Sequence, residues 1–580
     1  MANPSLPNSA APPAPGRSKW QTRGFALLLD IATVSHARAA ALLVVLSLAM
    51  FLPGFFALPP VDRDEARFAQ ASKQMVEAGD YVDIRFQDEV RYKKPVGIYW
   101  LQSAAVNVAE AVGVEEATTR IWIYRLPSLF GAIGGVLLTY WAALAFVSRR
   151  AALLAAAMMA SCILLGVEAR LAKTDAMLFL TTTAAFGALA RAYLGPKRTP
   201  TETVGWPIAF IFWTALAAGT LLKGPLIFLF VGLTALVVSV IDRSARWLLA
   251  LRPLPGIVWL LLLASPWFIL IMTKSGSAFI QGSIGADALP KILGSQEGHG
   301  APPGFYFLLF WATFWPGAVI AGLATPTVWR ARREPGAKFL LAWLIPSWIV
   351  FELVVTKLPH YVLPLYPAIA ILIAGVLERG GLSRSRWLAH GTVGWVLMPL
   401  AVAIASVAGF VVLAHELGFL AWPFAAGALV MGLFAWWLYD VDGAEYAMLR
   451  AIAASLLVAV TLFGIVLTSL PGLFPSVTMA QALHDSDCSE PEAAAAGFHE
   501  PSLVFLAGTK TLLTDGAGAA DFLRQGPCRF AFVEQRHERS FVQRAEGLGL
   551  RYWQVTKIEG FNISNGRRVS MSVFRSSEGP

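Results

Sequence analysis

Apolar runs recur along the chain at lengths that suit a bilayer. Stretches of roughly 17–25 apolar residues, enough to cross the hydrocarbon core, lie near 39–58, 126–147, 151–167, 176–194, 205–222, 225–241, 256–273, 304–328, 338–355, 361–377, 387–413, 418–438 and 451–470. They predict about thirteen membrane-spanning helices. Residues 1–19 are Pro-, Ala- and Ser-rich with no apolar core, which predicts disorder. Residues 20–34 predict an amphipathic helix lying on the membrane. The division expected is a tail at 1–38, a membrane domain at 39–472 and a polar C-terminal domain at 473–580.

Three polar segments interrupt the apolar pattern. The first, 59–125, opens with "PPVDRDEARFAQASKQMVEAGDYV". Asp62 reads as the N-cap of a helix running to Ala78, with Gly79 as its stop. On periodicity alone this is a membrane-surface helix with solvated charges, and Asp62, Arg63, Glu65, Lys73 and Glu77 read as capping and solvation. A second surface helix follows "RYKKP". The second segment, 274–303, is Gly-rich, which predicts a mobile loop. The third is the C-terminal region. Its runs "SLVFLAG", "RFAFVEQ", "YWQVTKI" and "RVSMSVFR" predict strands, and 517–525 a helix, giving a small α/β domain.

Composition fits this picture. The 580 residues are 56% hydrophobic and 14% charged, with mean hydropathy +0.60. A soluble domain carries about 25% charge, so the chain is a polytopic membrane protein. The net charge of +9 is read as basic cytoplasmic loops and groups facing an anionic substrate, since no nucleic-acid motif is present. Arg149/Arg150, Arg191/Lys197/Arg198, Arg243/Arg246/Arg252, Arg330–Lys338 and Arg379/Arg384/Arg386 fall on alternate connections. By the positive-inside rule these face the cytoplasm. The three polar segments then lie on the external side. Cys162 reads as a buried apolar residue. Cys488 and Cys528 form either a disulfide or two free thiols.

Candidate chemistry sits at the external ends of the spans. Asp64 and Arg67 share one helix face. Lys93 and Lys94 oppose the dipole of the helix they open, a conflict that a bound anion would relieve; lipid headgroups would serve equally. Glu168, Lys173 and Asp175 sit at a short turn, where ionisable groups pair or line a cavity. Lys223 stands alone before the Gly224-Pro225 break; snorkelling and phosphate binding are both open. Lys357, His360 and Tyr361 cluster at another turn, and His299 lies in "SQEGHGAPP". A lone His is more often an ordinary polar residue. No metal-ligand spacing, phosphate-binding Gly-rich loop or Gly-x-Ser-x-Gly elbow is present. A cavity collecting Arg67, Lys93, Lys94, Lys173, Lys223 and Lys357 would attract a phosphate or pyrophosphate at the membrane boundary.

At these residues the chain resembles a known superfamily. "DEARFA", "GDY", "KKP" and "YW" in the first loop resemble the lipid A aminoarabinose transferases and, more widely, the polyprenyl-phosphate-sugar glycosyltransferases that include the protein O-mannosyltransferases. "KTDAMLFL", "LLKGPL" and "TKLPHYVLPLYPAIA" resemble later family segments, and the likeness extends to about residue 380. It implies the type C glycosyltransferase fold: an all-α polytopic domain, juxtamembrane helices and an external C-terminal domain in the bacterial inner membrane. It implies a sugar donor on undecaprenyl phosphate and inversion at the anomeric carbon. The acceptor implied is lipid A or a related glycolipid, with a protein hydroxyl as the alternative; a lipid-sugar transporter is a further, different reading. Carried over, Asp64 is the catalytic carboxylate and Asp175 supports the site. Arg67, Lys94, Lys223 and Tyr361, with Lys357, bind the donor phosphate. Lys93, Glu168, Lys173, His299 and His360 are further candidates. Position 93 is commonly acidic in the family and is Lys93 here, so no metal ligand carries over to it. No cofactor is implied.

Overall fold

The computed structural model describes residues 21–198, 204–283 and 300–576. The expected disordered start, most of the Gly-rich loop and His299 lie outside these residues. Among the described residues, nine helices are long and apolar enough to cross a membrane. The pair Phe305–Thr313 and Ala318–Arg330, bent by 119°, makes a tenth if counted as one span. His36–Phe51 and Leu226–Ile241 are apolar but shorter.

The span expected at 151–167 is broken. Its helix, Arg149–Ala160, ends at Ser161, and the chain restarts as the short helix Ile163–Glu168. The Ser161 hydroxyl donates back to the carbonyls of Ala157 and Met158, a local bond that competes with helix continuation. This break places Glu168 and the 169–174 loop at the end of the bundle away from the basic connections.

The first loop forms the helix Asp64–Ala78, called here the first-loop helix. Gly79, at φ +65°, stops it in the left-handed conformation that a side chain disfavours. Ala66, Phe68, Ala69, Ala71 and Met75 are buried. Asp62 does not cap it: the N-cap position is Arg63, without a side-chain bond. The Asp62 carboxylate is instead taken by Ser502. The second surface helix, Gly97–Ala111, abuts the end of Trp206–Lys223. A Cβ on Gly97 would lie 2.7 Å from the Leu221 carbonyl oxygen. Only glycine allows this approach, which brings the Lys93-Lys94-Pro95 segment beside Lys223.

The C-terminal region is an α/β unit on one five-stranded sheet. Strands β1 (Glu492–Ala496), β2 (Leu512–Thr514) and β3 (Arg529–Glu534) are parallel; β4 (Tyr552–Asn562) and β5 (Arg567–Ser576) are antiparallel neighbours. Their order across the sheet is β2-β1-β3-β5-β4. β3, β4 and β5 match the runs predicted as strands. "SLVFLAG" does not: Pro501–Ala507 is a helix. Pro501 occupies its first turn, where a missing N–H is harmless. Cys488 and Cys528 are joined as a disulfide, and Cys162 is buried.

Candidate active site

Two charged groupings form at the same end of the bundle. The first is centred on Asp175, the first residue of the helix Asp175–Arg198, where a carboxylate suits the helix dipole. Lys223 is the last residue of Trp206–Lys223, where a cation suits the dipole. The Lys223 ammonium donates to the Asp175 carboxylate. Lys173 Nζ donates to Glu168 Oε1 at 3.0 Å and lies 3.8 Å from Asp175 Oδ2. His360 bridges the two acids, with Nδ1 3.6 Å from Glu168 Oε1 and Nε2 3.6 Å from Asp175 Oδ1. The Tyr361 ring lies 5.3 Å from Lys223 Nζ. Glu168, Lys173, Asp175 and His360 are all buried.

Lys173 stays charged despite its burial. Desolvation opposes its charge, but Glu168, Asp175 and Asp64 outweigh that and hold its pKa above the ordinary lysine range. Asp64 is therefore within electrostatic reach of this centre, as is Lys94 through His360. Asp64 is exposed at the start of its helix, while Arg67 and Lys94 are half-buried and Lys93 is exposed. Lys357 does not join the group. Its ammonium donates to the carbonyls of Glu352 and Val354, closing the end of the preceding helix.

Glu168, Asp175 and His360 each bring one donor atom within 4.8 Å of the others. The sequence shows no metal-ligand spacing here because the donors come from separate turns. The grouping does not fit a divalent ion well. Two ammoniums already balance the two carboxylates, and a cation would have to displace one of them.

The second grouping went unread in the sequence. Glu65 is a buried hub. It accepts from Arg125 Nε (2.7 Å) and Nη2 (2.9 Å), from Ala172 N (2.8 Å) and from Val61 N (2.8 Å). Arg125 also donates to the carbonyls of Phe55, Leu58 and Pro59. Glu65 adjoins Asp64 in the chain, and Ala172 leads into Lys173 and Asp175. One carboxylate thus ties both halves of the site together. The signal available was Arg125 itself, an arginine at the mouth of an apolar span, which the structure places within the helix Ile121–Ala143 and which needs a partner there. Likewise Lys73 and Glu77 are not merely solvated. Lys73 Nζ donates to Phe505 O at 3.1 Å, and Thr509 Oγ1 donates to Glu77 at 2.9 Å.

The chain is similar to known proteins along much of its length. The family of dolichyl-phosphate-mannose-protein mannosyltransferases matches residues 34–275. An undecaprenyl phosphate-alpha-4-amino-4-deoxy-L-arabinose arabinosyl transferase of Erwinia tasmaniensis is 29% identical over 318 residues, 54% of either chain. The chain spans about half the length of the curated relatives it matches. ArnT from Cupriavidus metallidurans in the apo state superposes with a TM-score of 0.71 at 18% identity, covering 95% of this chain and 98% of that one. The same protein bound to undecaprenyl phosphate gives a TM-score of 0.68 at 19% identity over the same shares. The fold is the ArnT-like type C glycosyltransferase fold.

Proposed function

We propose that this chain, with its type C glycosyltransferase fold, is an inverting membrane glycosyltransferase. It moves a sugar from undecaprenyl phosphate to lipid A or a related glycolipid at the periplasmic face of the bacterial inner membrane, and its chain crosses that membrane about thirteen times. The observation that carries this is the meeting of Lys94, Lys173, Lys223 and Tyr361 with Asp64 and Asp175 at one end of an apolar bundle. A lipid phosphate has its charge at that depth. The curated relatives named for undecaprenyl-phosphate aminoarabinose support the same donor class.

In the reaction an acceptor oxygen attacks the anomeric carbon as the bond to the phosphate oxygen breaks. Polyprenyl phosphate leaves with the bonding pair. Arg67, Lys94 and Lys223 stabilise the charge that grows on it, and the Tyr361 ring fixes the Lys223 head. Asp175 orients Lys223 by hydrogen bond. Asp64, exposed beside the centre, takes the proton of a hydroxyl acceptor, or positions an acceptor that is already an anionic phosphate. No step requires a metal.

Asp64→Asn is expected to lower transfer by about 10²–10⁴-fold with normal membrane insertion. The measurement is mass spectrometry of lipid A from cells carrying wild type or variant. Transfer at the wild-type rate by the variant would remove Asp64 from the chemistry. The match to protein mannosyltransferases over 34–275 favours a second acceptor, a protein hydroxyl. A sugar found on periplasmic proteins and absent from lipid A would select it.

A further inference from the structure

We propose that the helix Pro501–Ala507 is a positioning element for transfer, docking Ser502 and Phe505 on the first-loop segment so that Asp64 is held at a fixed distance from the loop carrying Lys173 and Asp175. This rests on the glycosyltransferase reading above.

The contact is extensive and specific. Ser502 N donates to Asp62 Oδ1 at 2.8 Å and its hydroxyl to Asp62 Oδ2 at 2.7 Å. Phe505 is fully buried. Its ring lies 5.3 Å from that of Tyr124, and it shares one apolar cluster with Ala69 of the first-loop helix and Ala172 of the 169–174 loop. Arg63 Nε lies 3.4 Å from Glu500 Oε2, Gln70 Nε2 donates to Thr509 Oγ1 at 2.9 Å, and Lys73 donates to the Phe505 carbonyl. Arg63, Gln70 and Glu77 are seven residues apart, so these bonds run down one stripe of the helix. Ala172 is also where Glu65 anchors the loop. Phe505 therefore packs at the junction between the helix that presents Asp64 and the loop that presents Lys173. A misplacement of about 1 Å between reacting groups costs about 10²-fold in rate, so a clamp at this junction acts on the reaction without touching substrate.

The polar half of the contact is set to respond to pH. Asp62 faces Ser502, Glu500, Arg63 and Arg67. Burial, aided by the Glu500 charge and opposed by the Ser502 bonds and Arg67, raises the Asp62 pKa to about 7. A carboxylate whose folded pKa is raised binds its proton more tightly when docked. Docking is then strongest in acid and weakens as pH rises toward about 7, levelling off above it.

Two measurements test this on the full-length protein in detergent or nanodiscs. The first is amide hydrogen exchange of residues 64–78, which needs no substrate. Phe505→Ala is expected to raise that exchange about tenfold and leave the spanning helices unchanged, and Ser502→Ala to raise it less. Arg544→Ala, at an exposed pair with Asp521 on the far part of the domain, serves as the control and leaves it unchanged. The second is transfer from undecaprenyl-phosphate aminoarabinose to lipid A. Phe505→Ala lowers kcat about tenfold or more with donor KM nearly constant, and Phe505→Leu restores most of the rate. Asp62→Asn flattens the pH dependence of the exchange between about pH 4 and pH 7. Unchanged exchange in Phe505→Ala overturns the clamp, and raised exchange with unchanged kcat overturns its role in transfer. Should Phe505→Ala not fold, Ser502→Ala carries the decision: unchanged exchange of residues 64–78 in that variant overturns the clamp. Absence of transfer by wild type overturns aminoarabinose and lipid A as this chain's donor sugar and acceptor, whereas the exchange result judges the docking itself.

Discussion

Two buried ionic groupings, Glu65–Arg125 and the Glu168–Lys173–Asp175–Lys223–His360 centre, sit at the same end of the bundle and have opposite character. Arg125 spends all five of its N–H groups, and Glu65 accepts four hydrogen bonds. In the other grouping, Glu168 Oε2 is buried without a hydrogen-bond partner, and His360 stands 3.6 Å from both acids, beyond bonding distance. A saturated network fixes structure, while a buried polar atom left unsatisfied marks strain or a functional site. The Glu65–Arg125 charges therefore hold the molecule, and those of the Asp175 centre remain available to a ligand.

Three substitutions sharpen or break that contrast. Arg125→Ala should have the largest effect, since it strands the Glu65 carboxylate and three backbone carbonyls; about 3–5 kcal/mol is expected. It would be seen as loss of folded protein by size-exclusion chromatography and thermal melting. Normal stability would deny Glu65–Arg125 its structural standing. Lys223→Ala should leave the fold nearly intact and weaken binding of undecaprenyl phosphate by about tenfold or more, read by a direct binding assay. Unchanged binding would place Lys223 among the structural charges. Glu168→Gln should have the smallest effect. The amide keeps an acceptor for Lys173, which Asp175 still faces at 3.8 Å, so stability should shift by about 1 kcal/mol in thermal melts, with transfer reduced. A loss as large as that of Arg125→Ala would make the two groupings equivalent.

The membrane character and the candidate centre were legible because apolar length and intramembrane charge are local signals. Asp175, Lys223, His360 and Tyr361 announced themselves as polar residues at short turns, and their meeting follows from the helices that carry them. The C-terminal domain misled at two places. "EAAAA" has no strand propensity, yet it is β1, held between β2 and β3 with its four alanines buried. "SLVFLA" has the composition of a strand but folds as the docking helix. In both, tertiary pairing overrides local preference. The role of Asp62 was equally hidden, since its partner Ser502 lies at the far end of the sequence. Lys357 looked like one more external cation, and only the structure shows it closing a helix end.

The bond between Glu65 and the Ala172 amide gives the molecule a single reference point. Segments that leave the membrane a hundred residues apart share one origin, much as two arms of a caliper share one pivot. Change on either side of that pivot moves the whole gap, so the residues forming it have little room to drift. Exposed positions beyond it, Lys93 among them, can exchange their chemistry without resetting the gap. A scaffold of this kind can keep one bond-breaking geometry while its recognition surface is rewritten for different sugars or acceptors.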